Sequence, residues 1–479
     1  MKTMNKSLEY ILAGAILCGV VFPPANVVAQ SVETAAPEKK RILVLQPTHW
    51  DQMELDKLVE REAYELVYEA ETSRGNLWSG VYSLINPFRW ADWMKGKMTA
   101  KKIDAVIGMD DHPAATLAAL LAERMGLKGT PPESILTLGN KYESRKIQAK
   151  VVPEAAPKFA LVDPKNFDPK NPPLPYPFFL KPVHASTSYN ARMIRNEEAF
   201  TEALKGSWLK NSLFRMYNRH FDFLTNHLMS EPVTSNHYIA EEPLKGVQIT
   251  VDGFMHDGKA KILGVVDSVM YPGTTSFESF QYPSNLPEDV QRRMGEIAQR
   301  FVEGSTLNNT VFNIEMFYDK ELNRISIIEI NPRMSMQFSD MHEKVDGVGL
   351  YQIQAELATG KRPSFTGRNG QYKVAASFVA REFKGDTVVK SVPDAVAAER
   401  ALAEHPDARV HFFASKGLER LDNLVFEDPE SKLVSYVNIG GESRSSLRRA
   451  YERLVEKMGV EIRRPSPKGG AVCAGLLGL

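Results

Sequence analysis

Two apolar segments of β character, each followed closely by a carboxylate, constrain this chain more than any other feature. The first segment ends at Glu315, and the second carries Glu329, Asn331 and Arg333 at alternate positions. Side chains at i, i+2 and i+4 of a β-strand lie on one face, so the last three are predicted to face one site. Mg²⁺ binds one or two carboxylates together with phosphate oxygens, and a guanidinium suits an anion that gains charge as it reacts. The pattern predicts a metal–phosphate site, and the alternative is a pair of edge strands with solvated charges.

The bulk composition excludes several classes of protein. A chain of 479 residues is too long for one ordinary core, so roughly two to four domains are expected. Lys plus Arg and Asp plus Glu both number 59, so no net field favours nucleic acid as a partner. The two cysteines, Cys18 and Cys473, form neither a disulfide framework nor the pattern of a zinc site.

The spacing of strands and helices divides the chain into segments. Residues 39–138 alternate between the two, which predicts a small parallel α/β domain. Strands dominate residues 139–365, and residues 366–464 form an α+β unit. Residues 1–38 are predicted to be a signal-like segment with a linker, and residues 465–479 a tail. The fold class is therefore α/β and α+β, with several domains.

The apolar patterns predict individual elements, and we expect Asp110 and Asp111 to cap one helix and Gly126 to end it. The predicted strands are Arg41–Pro47, Glu65–Glu69, Ile103–Gly108, Phe178–Lys181, His237–Glu241, Gln248–Met255, Ala260–Val266, Val311–Phe317, Arg324–Ile330, Tyr372–Ala380 and Arg409–Ala414. The predicted helices are Asp51–Tyr64, Pro113–Gly126, Glu197–Lys205, Pro287–Glu303 and Glu442–Met458.

Three lysine and arginine side chains are candidates for binding an anion. Lys141 and Arg145 lie one helical turn apart, and a solvated helix start is the favoured interpretation of this pair. Lys181 interrupts an apolar strand, where an unpaired charge is costly, so it needs an anionic partner such as a phosphate. The loop that follows carries Ser186 and Ser188, whose hydroxyls suit a phosphate-binding loop, and the alternative is a polar turn.

A strand end further along the chain is a candidate for binding a nucleoside. Glu241 and Glu242 end the strand, and the free backbone groups near Leu244 are suited to recognising an adenine edge. Gln248 is placed to hydrogen-bond ribose hydroxyls. The alternative is an acidic turn in which Gly246 supplies a positive φ.

These motifs, in this order and spacing, resemble the ATP-grasp superfamily over about residues 39–365. Residues 331–335, 345–350 and 356–360 further resemble its biotin-carboxylase-like branch, which includes carboxylate–amine ligases such as amino-acid (dipeptide) ligases. The resemblance implies an ATP-grasp fold with a Rossmann-like pre-ATP-grasp domain before it and a C-terminal α+β unit after it.

The resemblance also implies a role for each motif. It assigns ATP phosphates to the two lysines and the serine loop, adenine and ribose to the hinge and Gln248, a metal to the acidic strands, and the transferred phosphoryl group to Arg333. The implied nucleotide-binding residues are Lys141, Lys181, Ser186, Ser188, Glu241, Glu242, Leu244 and Gln248, and the implied ligands of Mg²⁺, or alternatively Mn²⁺, are Glu315, Glu329 and Asn331.

Some residues depart from the family pattern. The phosphate loop is hydroxylic where many members have glycines, and Gln248 replaces the ribose acid. Gln337 and Phe338 stand about where biotin carboxylases carry a Glu-His pair. These departures do not favour biotin-dependent carboxylation, and they are compatible with ATP binding.

The resulting hypothesis is an ADP-forming carbon–nitrogen ligase that joins a small carboxylate to an amine through an acyl phosphate. A biotin-carboxylase-like or nucleotide-biosynthesis enzyme and a non-catalytic ATP-binding protein are the alternatives. A homodimer is also considered. Substrate-pocket candidates that ordinary surface loops explain equally well are Asp110, His112, Ser276, Glu278 and Arg381.

The N-terminus predicts a different compartment from the rest of the chain. Lys2 and Lys6 precede an apolar run at residues 11–22, and small residues precede Gln30, which is typical of a signal peptide over residues 1–29. The run is short for a transmembrane helix. Because ATP is a cytoplasmic resource, we expect the ATP-dependent part in the cytoplasm, with membrane contact only through this segment if it is uncleaved; export or tethering stays open.

Overall fold

The computed structural model describes residues 39–58, 61–69, 86–109, 111–185, 189–205, 214–383, 402–403, 405–412 and 431–458. The signal-like segment, the tail, Ser186 and Ser188 lie outside these ranges.

The described residues contain strands that pair into three sheets. The strands are β1 (Lys40–Leu45), β2 (Tyr64–Glu69), β3 (Ala105–Gly108), β4 (Phe159–Val162), β5 (Phe178–Pro182), β6 (Arg192–Ile194), β7 (Tyr238–Glu241), β8 (Val247–His256), β9 (Lys259–Met270), β10 (Phe277–Tyr282), β11 (Thr310–Asp319), β12 (Arg324–Asn331), β13 (Val374–Phe383), β14 (Arg409–Phe412) and β15 (Ser431–Gly441).

Helices cover these sheets. They are α1 (His49–Leu55), α2 (Pro87–Ala100), α3 (Thr116–Met125), α4 (Pro132–Gly139), α5 (Lys141–Val151), α6 (Glu197–Lys205), α7 (Arg219–Leu228), α8 (Glu288–Glu303), α9 (Met336–Asp346), α10 (Leu350–Ala358) and α11 (Arg444–Lys457).

The N-terminal region forms a parallel three-stranded sheet in the order β2-β1-β3. Its central strand is apolar on both faces: Leu43 packs with α2 and α3, whereas Val44 packs with α1 and α10. A strand buried on both sides reads as a continuous apolar run because each face needs its own hydrophobic contacts. The predicted parallel α/β arrangement is therefore present here.

The largest sheet has eight antiparallel strands in the order β12-β11-β8-β9-β10-β13-β15-β14. One face is covered by α8 and, further along, by α11, and the other by α9 and α10. The strands after residue 366 therefore continue the sheet begun by the central region. A separate four-stranded sheet has the order β4-β7-β5-β6.

Two predicted helices differ from the structure at their ends. The first begins with a capping box of Thr48 and Asp51 and ends at Leu55, well before the predicted Tyr64. The second begins at Thr116 after a π-type turn at residues 111–115, and its N-cap residue is Ala115, which makes no side-chain capping hydrogen bond; the side chains of Asp110 and Asp111, from which a cap was expected, lie outside the described residues. Gly126 ends it with φ 69°, as expected.

Candidate active site

The pairing of β11 and β12 brings the predicted metal ligands together. Glu315 lies directly opposite Glu329, and Asn313 lies opposite Asn331. Residues directly opposite in an antiparallel pair share a face, so both carboxylates and both amides point to one side of the sheet. The Asn331 amide donates to the Asn313 side-chain oxygen at 2.8 Å and to Glu315 Oε1 at 3.4 Å.

The two facing carboxylates repel one another. Burial, and then the charge of Glu329, raise the pKa of Glu315 from 4.5 to about 7, although Arg333 and two lysines oppose the rise. Gln248 Nε2 donates to Glu315 Oε2 at 2.8 Å, so this side chain supports a carboxylate of the site. Two neighbouring carboxyl groups that are hard to ionise together fit a divalent cation, because its charge would favour the ionised form of both.

Lys141 and Lys181 flank the carboxylates from two different elements. Lys141 opens α5, which Asn140 caps by accepting from two backbone N–H groups of its first turn. Its Nζ lies 3.2 Å from Glu329 Oε2 and donates to the Ala185 carbonyl at 2.7 Å. The β5 residue Lys181 places its Nζ 2.8 Å from Glu241 Oε2. The structure thus gathers both predicted phosphate-binding cations beside the acidic strands.

Arg145 is not the solvated side chain that the sequence favoured. It is 1% exposed, and its Nε donates to Glu241 Oε1 at 2.8 Å. Burial alone would raise the pKa of Glu241, but the charges of Arg145 and Lys181 hold that pKa below its usual value. The Glu241 carboxylate is therefore committed to these two cations, and any contact with a base falls to its backbone.

The predicted adenine hinge follows β7 as an extended segment. Glu242 accepts from Arg324 Nη2 at 2.6 Å, and Leu244 is half-buried. Gly246 has φ 113°, and a Cβ there would lie 2.0 Å from the Tyr318 carbonyl oxygen. Glycine is required at this turn, as the alternative interpretation of the motif expected.

Arg333 lies just beyond β12 and lines a cavity of about 40 Å³. Residues of β3 and α3 also line this cavity, among them Ile107, Ala118 and Ala119. Polar groups of Thr130 and other residues complete the lining. The charge of Arg333, the catalytic candidate, therefore acts on the carboxylate pair by opposing the rise in the Glu315 pKa. The same residue lines the small cavity beside β3 and α3.

A buried ionic network on β8 and α9 was missed by the sequence interpretation. His342 is fully buried, with Nε2 2.9 Å from Asp252 Oδ2 and Nδ1 2.9 Å from Asp346 Oδ2. Tyr282 donates its hydroxyl to the same Asp346 oxygen at 2.8 Å. Burial would lower the pKa of His342, but the two carboxylates raise it to about 9. The only sequence signal was a His four residues before an Asp, which is too weak to single out.

Several other candidates lie elsewhere or are buried. Ser276 bonds Ser431 through their hydroxyls at 2.9 Å, and Glu278 pairs with Arg448 at 2.7 Å, so both serve contacts between β10 and the C-terminal elements. Gln337 is buried, as is Phe338 beside it, which packs in the core. Asp110 and the side chain of His112 lie outside the described residues.

In the described part of the chain, no three or more His, Cys, Asp and Glu residues cluster as a metal site, so the candidate metal site rests on two carboxylates and an amide. No helix among the same residues is both long enough and apolar enough to cross a membrane.

The chain is similar to known proteins in sequence and in fold. Residues 174–340 match the model of the ATP-grasp domain. A stretch of 119 residues is 29% identical to the carbamoyl phosphate synthase large chain, C-terminal section, of Methanopyrus kandleri. That match covers 24% of this chain and 22% of the relative, so it spans about a fifth of that protein.

Solved structures share the architecture over most of the chain. An L-amino acid ligase from Bacillus licheniformis has a TM-score of 0.62 at 13% identity, over 88% of this chain and 98% of its own. Carboxyaminoimidazole ribonucleotide synthase from Aspergillus clavatus, complexed with ATP, has a TM-score of 0.60 at 14% identity, over 89% and 99% of the two chains. The fold expected from the motifs is confirmed.

Proposed function

We propose that this ATP-grasp protein is an ATP- and Mg²⁺-dependent ligase that joins a carboxylate to an amine and forms ADP. The observation that carries the proposal is the facing pair Glu315 and Glu329, flanked by Lys141 and Lys181 and followed by Arg333. Phosphoryl transfer requires mainly positioning and charge neutralisation, and this arrangement offers both. The fold similarity to an amino acid ligase supports the choice of an amine as acceptor.

Nucleotide binding is assigned to two lysines, a serine-containing loop and the segment that follows β7. Lys141 and Lys181 would neutralise the phosphates, exchanging their present carboxylate and carbonyl partners for phosphate oxygens. The loop that holds Ser186 and Ser188 would supply further donors. The backbone from Glu241 to Leu244 would bind the adenine edge, since the Glu241 side chain is already occupied by cations.

The metal would be held by Glu315, Glu329 and Asn331, which form the oxygen-rich donor set that Mg²⁺ or Mn²⁺ accepts. When bound, such an ion neutralises phosphate charge and lowers the pKa of its carboxylate ligands. Gln248 would orient Glu315 through the 2.8 Å hydrogen bond already present. Its assignment to ribose remains a second proposal for the same side chain.

Arg333 would stabilise the charge that develops as the substrate carboxylate takes the phosphoryl group. The amine then attacks the acyl phosphate, the carbon–nitrogen bond forms, and inorganic phosphate leaves. A preorganised cation at such a position is typically worth a few kcal/mol of barrier. Because Arg333 lines a cavity of about 40 Å³, we propose that this cavity receives a small part of the acid.

A screen of acid–amine pairs for ADP release tests the function. Glu329→Ala should abolish ADP release with the active pair, whereas Glu321→Ala, an exposed residue in the turn between the same two strands, should leave it unchanged. ADP release by Glu329→Ala at the wild-type rate would exclude the metal assignment. Phosphate release that depends on bicarbonate and on no amine would favour the carboxylase-like alternative, and nucleotide binding without turnover a non-catalytic role.

The remaining organisation is also a proposal. We propose the limits 39–138, 139–365 and 366–464 for three segments, of which the last two share the eight-stranded sheet, together with a homodimer as the assembly and the cytoplasm as the compartment of the ATP-dependent part. Mass analysis of the mature N-terminus would show whether residues 1–29 are removed.

A further inference from the structure

The direction of the metal ligand Glu329 contradicts simple strand alternation. Residues two apart in a strand share a face, so Ile325, Ile327 and Glu329 should point the same way. Ile325 and Ile327 do share a face, since both are buried in the apolar cluster under α8. Glu329 instead lies opposite Glu315 on the other face. Regular alternation would have placed this carboxylate in the hydrophobic core.

A β-bulge at Ile328 reverses the alternation. Met316 of β11 pairs with Ile327 and Glu315 with Glu329, so Ile328 has no partner across the ladder. An extra residue of this kind re-aims the side chains that follow it. The bulge is therefore the local feature that turns Glu329 from the core face to the site.

Arg145 binds the outer edge of β12 at this bulge. Its Nη1 donates to the carbonyl of Ile327 at 2.8 Å, and its Nη2 donates to the carbonyl of Ile328 at 2.8 Å. The Ile327 N–H donates to the Ala155 carbonyl at 2.8 Å. Among the residues that the structure describes, β12 is the edge strand of the sheet, and no further strand pairs with these backbone groups.

The guanidinium is itself fixed on all sides. Glu241 accepts from its Nε at 2.8 Å and also from Nη2, and Gln148 accepts from Nη1. The planar guanidinium has five N–H donors on three nitrogen atoms and reaches all four of these acceptors, whereas an ammonium group has three donors on one nitrogen atom. The same Glu241 pairs with Lys181, so the bulge and a phosphate-binding candidate are held by one buried network.

We propose that Arg145 is a positioning residue that fixes the Ile328 bulge and thereby aims Glu329 at the metal. The inference rests on the proposed metal site and adds a residue that touches neither metal nor nucleotide. Residues that orient a ligand in this way typically change metal affinity by about 10- to 100-fold when they are replaced. A loss of folding stability alone would not weaken metal binding by the protein that remains folded.

The test measures Mn²⁺ binding to the full chain in the presence of ADP, by the electron paramagnetic resonance signal of free Mn²⁺. Arg145→Lys keeps the charge beside Glu241 but loses the fork, and we expect about 10- to 100-fold weaker Mn²⁺ binding. Arg300→Lys is the matched control, because Arg300 makes an exposed ion pair with Glu154. The control should bind Mn²⁺ like the wild type.

A second pair of variants covers the case in which Arg145→Lys does not fold. Ile328→Gly keeps every Arg145 contact but loosens the bulge, and it should bind Mn²⁺ about two- to fivefold more weakly than Ile328→Ala. If Arg145→Lys folds and binds Mn²⁺ as tightly as the wild type, the inference is overturned. If Arg145→Lys does not fold, equal Mn²⁺ affinities of Ile328→Gly and Ile328→Ala overturn it. Absence of Mn²⁺ binding to the wild type would instead refute the metal site itself, and with it this role.

Discussion

The facing carboxylates predict that Glu315→Gln stabilises the metal-free protein. The rise in the Glu315 pKa from 4.5 to about 7 corresponds to about 3 kcal/mol at pH values above 7. Glu315 is only half-buried by its exposed surface, so screening by water reduces this to about 1–2 kcal/mol. Glutamine removes the charge while retaining an oxygen that accepts from Gln248.

The pH dependence of this gain has a definite sign. A carboxyl whose pKa is raised by folding binds its proton more tightly in the folded state, so its contribution is fully present below pH 4.5 and lost as the pH rises through 7. Glu315→Gln should therefore have little advantage at pH 4.5 and its full advantage at pH 8. For a chain of this length, about 1 °C in Tm is expected per kcal/mol.

Scanning calorimetry in EDTA at the two pH values measures the effect. We expect Glu315→Gln to melt about 1–2 °C above the wild type at pH 8, with Glu321→Gln, in the exposed turn between the strands, as the control. Mg²⁺ with ADP should raise the Tm of the wild type and not of Glu315→Gln. A Glu315→Gln protein that melts at or below the wild type at pH 8 would refute the reasoning.

Three further outcomes are expected. Lys181→Met should weaken ATP binding about 10- to 100-fold by isothermal titration, because a charged hydrogen bond is lost; unchanged affinity would remove this residue from the phosphate site. The raised pKa of His342 stabilises the folded protein by up to about 3 kcal/mol, an effect that is complete below pH 6.5 and is lost as the pH rises to about 9. The free energy of unfolding in urea, compared between the wild type and His342→Gln, measures it, and a difference that does not change with pH would contradict it. Ala118→Leu should raise the KM for the acid and leave ATP affinity unchanged, and an unchanged KM would place the acid elsewhere.

The strands that carry the site were predictable because their patterns are local. Arg324–Asn331 and Thr310–Asp319 lie within two residues of the predicted limits at each end, because both segments are rich in β-branched and aromatic residues. The helix Glu197–Lys205 was predicted without error, because its acidic first turn and basic last residue mark both ends.

Other features could not be predicted, because they depend on contacts with residues that are distant in the sequence. The helix Met336–Asp346 buries charged and polar side chains, including His342 and Asp346, so it lacks an amphipathic pattern. The burial of Arg145 depends on Glu241, 96 residues away, and on two carbonyls of β12. The residues around Ile328 give no sequence signal of a bulge. The prediction that Glu329 and Asn331 share a face was correct, but both residues follow the bulge, so this prediction did not depend on it.

The continuous eight-stranded sheet limits where the chain can be divided. A fragment ending at residue 365 would contain β10 but lack β13, which pairs with it from Ser279 to Tyr282. It would also lose Phe378, which stacks on Tyr451 and is buried. Such a fragment would expose an unpaired strand edge and self-associate. Expression of the nucleotide-binding part alone therefore requires the chain to continue through β15 and α11.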